Sequence, residues 1–428
     1  MGLSVCVGIK PQKRFFFSRP ESFASIIERI ALAAGDYLKE KNPARIAHIT
    51  VDQDAMAIGI HPAEEDVSFY VASDHLVCSA KTSSAGPGYH AFVVDMLTEI
   101  EKRCHFKWDW DNETLGFGDE AGYGARRNFE MLQDAMLSYF QGLCDFLVNQ
   151  DDSKSLSLSL PTNFGIQHTH FAISPMGVWE KAFFKSALED ASQLRDNAEA
   201  FFPWWHSAQD ALFWKNVGLV KMWTQVKWHP AYLEGDEDEQ LLTTTLECFE
   251  KARHLSHNTI PLPEEEIEEM RALRTGTHCP IPNPDLMGFY RLNRRIPFSS
   301  RWSIVIPGYF YDLSEEGDSS VTWSHIGKSV SLFAYVTEPD VIPPFVKDEE
   351  LGDPVHVFNF EKDTCIGMAE LRYAPASEGG YPILTCQVAA PGNISTTHIA
   401  VDTEEDIEWA VEVFKSIESL ASHAVNPN

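Results

Sequence analysis

The chain has 428 residues, 44% hydrophobic and 23% charged, a composition that fits a folded globular protein and excludes a disordered or fibrous one. Its 63 acidic side chains against 34 basic ones leave a net charge of −29, so phosphate backbones and anionic lipid are repelled while a basic partner is favoured. The length allows two or three domains, each burying its own core.

No stretch approaches the ~18 consecutive apolar residues of a membrane span. The opening Met1-Gly2 has the start of a myristoylation signal, but Cys6 stands where that pattern needs a hydroxyl, and no signal-peptide apolar region follows. Eight scattered cysteines without a CxxC pair give the usage expected of a reduced, cytoplasmic protein, with neither a disulfide scaffold nor a zinc ribbon.

Apolar residues at helical spacing from Phe23 to Ala34 predict an amphipathic helix over 21–39. Four strands are expected next, at 46–51, 56–60, 67–71 and 76–80, with short polar breaks that suit antiparallel turns. The loop Thr82–Gly88 delivers the chain into a helix from Tyr89 to about Lys102, and a second long helix is expected over 126–148. The polar run 150–159 is expected as a linker or a strand leading out of a first domain.

A strand over 164–174 opens the next segment, followed by helices at 179–195 and 239–254. Between them lies Phe201–Trp228, which holds five of the eleven tryptophans and reads as a central, many-sided core helix capped by Ser207, with Trp204 and Trp205 at its entrance. From His229 to Ala272, twelve carboxylates stand against Lys251, Arg253 and Arg271. A solvated helical face explains that excess, and it is also where a basic partner would dock, Glu234, Asp236, Glu237, Asp238 and Glu239 foremost.

Pro280, Pro282 and Pro284 mark a domain boundary. Beyond it strands are expected at 302–306, 321–325, 330–336, 365–374, 383–389 and 396–401, then a helix over 402–420 with Thr403 and Asp406 as its capping pair. The order of strand, Pro-Gly break, antiparallel sheet and terminal helix, carried by Trp302–Pro307, Lys328–Leu332 and Glu408–Ala410, resembles the PsbP/DcrB-like domain. That resemblance implies an α+β fold and a binding or assembly module without catalytic residues.

Several motifs bear on chemistry. Gly86-Pro87-Gly88-Tyr89-His90 can expose N–H groups at a helix start to an anion and offers His90 and Tyr89 as acid–base groups, or it can be a tight turn serving packing. It is neither a Walker sequence nor GxGxxG. In the catalytic reading His206 joins these two, with Trp204 and Trp205 as an aromatic wall and Gly86 and Gly88 as the binding end. The acids of 109–120 fall near EF-hand positions but Thr114 replaces the required glycine. His168 and His170 share a strand face, a weak metal pair lacking a third ligand. No nucleophile motif and no cofactor signature is present.

The sequence therefore predicts an α+β multidomain protein, antiparallel sheets packed with helices around a Trp-rich helical segment, in domains 1–160, 161–280 and 285–428. The expected function is a soluble acidic protein-binding module of the immunity or inhibitor type that neutralises a basic partner. A hydrolase or transferase at the Gly86–His90 loop and an assembly scaffold are the alternatives.

Overall fold

The structure, a computed structural model, describes the chain except residues 1, 11–20, 42–46, 53, 73, 113–115, 152–154, 160–169, 231–232, 234, 278–287, 300, 315–319, 326, 347–352, 376, 378 and 421–428. It is an α+β protein with four sheets and ten α-helices among the described residues. Two compact units emerge. The first comprises the described residues of Met1–Pro161, Thr169–Val226 and Glu234–Gly288, the second chiefly those of Lys227–Leu233 and Phe289–Asn428.

In the first unit, β1 (Ser4–Ile9), β2 (His48–Asp52), β3 (Ala55–Gly59), β4 (Val67–Ala72), β5 (His75–Lys81) and β6 (Gly118–Asp119) form one antiparallel sheet in the order β2-β3-β4-β5-β1-β6. The four expected strands lie at β2 to β5. Strand β1, absent from the sequence reading, pairs along its whole length with β5, from Ser4↔Lys81 to Ile9↔Leu76. Its alternation is blurred because Gly8 and Ile9 are both buried, which removes the polar/apolar contrast that marks a half-exposed strand.

Helices α1 (Phe23–Lys41) and α2 (Pro87–Cys104) pack on this sheet. Ile26, Ile27, Ile30, Ala33, Ala34, Tyr37 and Leu38 recur at helical spacing on the buried face of α1. After the short α3 (Tyr123–Arg126) comes α4 (Phe129–Val148), whose start is set by Asn128, its side chain accepting from the Met131 N–H. Strands β7 (Leu156–Ser157), β8 (Ala172–Ser174) and β9 (Gly177–Trp179) make a small sheet in which β7 and β8 run parallel.

The helix expected over 179–195 is two helices, α5 (Lys181–Ala187) and α6 (Ala191–Phe201). The break comes at Asp190, whose carboxylate accepts from the Ser192 and Gln193 N–H groups and so caps a new helix. The central helix α7 (Ala211–Thr224) begins later than the sequence suggested: Asp210, not Ser207, accepts from the Phe213 N–H. α8 (Gly235–Leu255) and α9 (Glu264–Arg274) follow.

The segments expected as domains 1–160 and 161–280 share cores. Trp204, Phe213, Trp214, Val217, Cys248 and Ala252 lie in one apolar cluster with the first sheet, α1 and α2. Trp205, Phe201 and Phe202 lie in a second, with α4, α5 and β8. The extended Phe202–Trp205 stretch thus sends neighbouring tryptophans into different cores.

In the second unit, β10 (Asn293–Pro297), β11 (Trp302–Pro307), and later β19 (Glu418–Ser419), make a three-stranded sheet. β12 (Tyr311–Asp312), β13 (Val321–His325), β14 (Lys328–Val336), β15 (His356–Lys362), β16 (Cys365–Tyr373), β17 (Pro382–Ala390) and β18 (Asn393–Val401) form a seven-stranded antiparallel sheet, ordered β12-β13-β14-β18-β17-β16-β15. Strict alternation in β18, buried at every odd residue from Asn393 to Val401, shows one face against the core. α10 (Ile407–Lys415) covers it with Ala410, Val411, Val413 and Phe414. The final helix is shorter than expected, and Thr403 bonds the Asp406 carboxylate ahead of a 3-10 turn instead of capping α10. The proline-rich boundary 280–284 lies outside the described residues.

Candidate functional site

The Gly86–His90 turn carries the glycine–histidine motif of the sequence at the start of α2. Gly86 has φ 110°, and a Cβ on it would sit 2.9 Å from both the Phe202 side chain and the Trp204 carbonyl. A Cβ on Gly88 would overlap the Trp204 indole and the His206 carbonyl. The Gly88 N–H donates to the Trp204 carbonyl at 2.9 Å and the Trp204 N–H to the Ala85 carbonyl at 2.8 Å. Both glycines therefore let the 202–206 segment lie directly on this turn.

His90, at 0% exposure, is held from both sides. Its Nδ1 is 2.8 Å from the Thr82 hydroxyl and its Nε2 3.0 Å from Asp119 Oδ1. The Asp119 carboxylate also accepts from the Ala121, Gly122 and Gly124 N–H groups. Burial alone would push the Asp119 carboxyl up, but the hydrogen bond and charge of His90 and the N–H groups of Gly124 and Ala121 hold it below its ordinary range. This relay ties β5, α2, β6 and the α3 entry together. The His90 ring is closed off from solvent, and the Asp119 side chain is only 6% exposed.

Tyr89 is equally buried, and burial, the first cause, raises its phenol well above the usual range. Trp204 and Trp205 are 2% and 3% exposed, so neither forms an open aromatic wall. His206 lies at the surface, bonded through Nδ1 to Asp210 Oδ2 at 2.9 Å and through Nε2 to Glu199 at 3.5 Å. His168 and Glu234 lie outside the described residues, and among the described residues no group of three His, Cys, Asp or Glu could hold a metal ion.

Beside that turn is a feature the sequence reading passed over. After β3 the chain turns at His61-Pro62-Ala63-Glu64, closed by the Glu64 N–H donating to the His61 carbonyl. The Ala63 N–H donates to His61 Nδ1 at 3.1 Å, which leaves the proton of the neutral ring on Nε2. Burial, with a contribution from the Lys221 charge, lowers His61 to about 3, so the ring is neutral. Glu64 Oε2 accepts from the Ser84 N–H at 2.9 Å and the Ala85 N–H at 2.6 Å. Its other oxygen, Oε1, is enclosed and has no hydrogen-bond partner among the described residues. Burial outweighs those N–H groups, the Ser84 hydroxyl and the Lys81 charge, and raises the Glu64 carboxyl to about 7.

Glu64 lines a pocket of about 130 Å³ together with Pro62, Ala63, Glu65, Lys81, Ser84 and Ser159. Lys81 pairs with Glu65 at 3.4 Å across it. Three acids stand in a row here, Glu64-Glu65-Asp66, of which Glu65 and Asp66 are exposed. The available signal was the His-Pro pair directly after an apolar strand.

The acidic helices form a third region of the first unit. Asp236, Glu237, Glu239, Glu247 and Glu265 are exposed and make no ion pair with another described residue, while Asp238 is buried. Three of the local cations are committed: Arg253 to Glu264 at 2.6 Å, Arg271 to Glu268 and to Glu250, and Lys251 over the Trp214 ring at 3.7 Å, while Arg274 ends α9 exposed. The seven described cysteines are free thiols, and no helix of the described residues is long and apolar enough to cross a membrane.

Comparison with family models and with curated proteins finds no match for this chain.

Proposed function

We propose that this chain is a binding protein for a basic protein partner, and that it neutralises that partner as immunity and inhibitor proteins neutralise toxins in the bacterial cytoplasm. The observation that supports the reading is the α8–α9 surface. Lys251, Arg253 and Arg271 within it are engaged, and five exposed carboxylates are left without a cation, against one exposed arginine, Arg274, at the end of α9. Unmatched charge of one sign attracts a complementary surface and accelerates encounter. Seen alone, acids in the first turn of α8 also complement its dipole, so Asp236 and Glu237 serve the helix as well as the surface. Glu265 has the same place in the first turn of α9, whereas Glu247, in the middle of α8, has no such local reason. The PsbP/DcrB-like resemblance of the C-terminal region fits a second binding surface on the same chain.

A tagged full-length chain, incubated in lysate of its native organism at low and at high salt, tests this. A stoichiometric basic protein captured at low salt and released at high salt supports the proposal. Capture that does not respond to salt, or no captured basic protein at all, overturns it.

A further inference from the structure

We propose that the pocket lined by Glu64, Glu65, Lys81, Ser84 and Ser159 is a binding site for a small primary ammonium group, seated against the Glu64 carboxylate. It does not depend on the acidic helices or on the reading built from them.

The geometry supplies a fixed acceptor. Oε2 is pinned by two backbone N–H groups of the Ser84–Ala85 segment, so the carboxylate cannot swing away, and Oε1 is left enclosed with no donor. A buried oxygen without a partner costs about 1–3 kcal/mol, more if charged, and an N⁺–H donor removes that cost. Charge selects the ligand. Two carboxylates and one ammonium line the pocket, and Lys81 already faces Glu65 at 3.4 Å. An ionised Glu64 is therefore one negative charge in excess, which one monocation cancels and an anion would worsen.

Size and walls narrow the choice. About 130 Å³ is well below the ~300–1,000 Å³ of sites for drug-sized ligands, which leaves room for a short amine or the end of a lysine side chain. Pro62 and Ala63 offer an apolar wall to the carbons next to the nitrogen, and Ser84 and Ser159 offer hydroxyl acceptors to its remaining N–H groups. A quaternary ammonium has the charge but no N–H to give Oε1.

Because burial holds the Glu64 carboxyl near pH 7, seating a cation there expels its proton to solvent. Binding and proton release are thus coupled in this pocket.

The test is calorimetric titration of the full chain with methylammonium, with a lysine-centred tripeptide and with tetramethylammonium, near pH 6.5, in two buffers of different ionisation enthalpy. Saturable binding of methylammonium or the tripeptide, with proton release, is expected, and the stronger of the two shows whether the source is a free amine or a protein side chain. Glu64→Gln should weaken binding by about tenfold or more and abolish the proton release. Lys81→Met, which removes the competing internal cation, should tighten it. The proposal is overturned if neither primary amine binds, if tetramethylammonium binds as well as methylammonium, or if Glu64→Gln binds like the wild type. Should Glu64→Gln fail to fold, Lys81→Met decides: unchanged or weaker affinity overturns the site.

Discussion

His90, fully buried, and Glu64, half-buried with an enclosed carboxylate oxygen, are bonded to the same loop, Thr82–Ala85, yet they are satisfied to different degrees. His90 has both ring nitrogens matched, and its partner Asp119 is matched again by three N–H groups. Glu64 has one oxygen matched twice and the other not at all. A fully satisfied buried network stabilises and specifies a fold, whereas a half-satisfied one retains free energy for something not yet bound. The residue that sequence made conspicuous therefore holds the structure together, and the inconspicuous one borders a pocket.

Packing sets the largest expected effect. Trp204 fills the seam between the Gly86–Gly88 turn and the first core, with ring neighbours Phe92 at 5.2 Å and Phe213 at 4.5 Å. Trp204→Ala should lower unfolding stability by about 3–5 kcal/mol, measured by denaturant titration. Its indole nitrogen is buried without a partner, so Trp204→Phe should lose less than half as much. An equal loss in both variants would mean that an unseen bond to that nitrogen, and not packing, carries the effect.

Next is the relay itself. His90→Ala leaves a buried carboxylate and hydroxyl facing a cavity and should cost about 3 kcal/mol or more by the same measurement. Asp119 adds a pH signature. Its carboxyl lies below its ordinary value in the folded chain, so the stability it contributes is present above that ordinary value and lost as pH falls through the folded one. Asp119→Asn should flatten this acid limb of the stability curve. A variant curve parallel to the wild type's would place the acid sensitivity elsewhere.

How much of this was legible in sequence follows from the physics of each element. β13 and α8 announce themselves, the one by alternation between turns, the other by an acidic start and long helical spacing. β15 at the sheet edge passed unremarked, since its Val357 is exposed and its inward Phe358 and Phe360 are only partly buried. Ser207 was the cap expected for the central helix, and Asp210, three residues on, is the side chain that accepts from the Phe213 N–H and sets its start. Burial of Glu64 depends on the 61–64 turn meeting the 84–85 backbone across twenty residues, a non-local contact that no window of sequence contains.

Glu64 gives a smaller effect of opposite sign to that of Asp119. Its folded value, about 7, lies above the ordinary range of a glutamate carboxyl, so the folded chain holds the extra proton. The stabilisation is complete below the unfolded value and disappears as pH rises through about 7, a change on the order of 1–3 kcal/mol. Lys81 and the Glu65 and Tyr89 groups border this carboxyl, and of these only Lys81 opposes the shift. Glu64→Gln should remove the alkaline decline between pH 5 and 8 while leaving the acid limb intact. Persistence of the decline in that variant would assign it to another group.

The smallest effect on stability is expected where the effect on association is largest. Asp236, Glu237, Glu239, Glu247 and Glu265 are exposed and unpaired, so replacing each with Gln should change stability by no more than about 0.5 kcal/mol. Together the five replacements remove five negative charges from one surface, and association with a basic partner should slow by about tenfold or more at low salt, with the difference closing as salt rises. Stopped-flow or surface-based kinetics with the captured partner reads this directly. A five-fold variant that binds at the wild-type rate would leave α8 and α9 as a solvated face, and the net charge of −29 as a matter of solubility alone. A variant whose dissociation rate rises instead would show that these carboxylates make contacts in the complex beyond steering its formation.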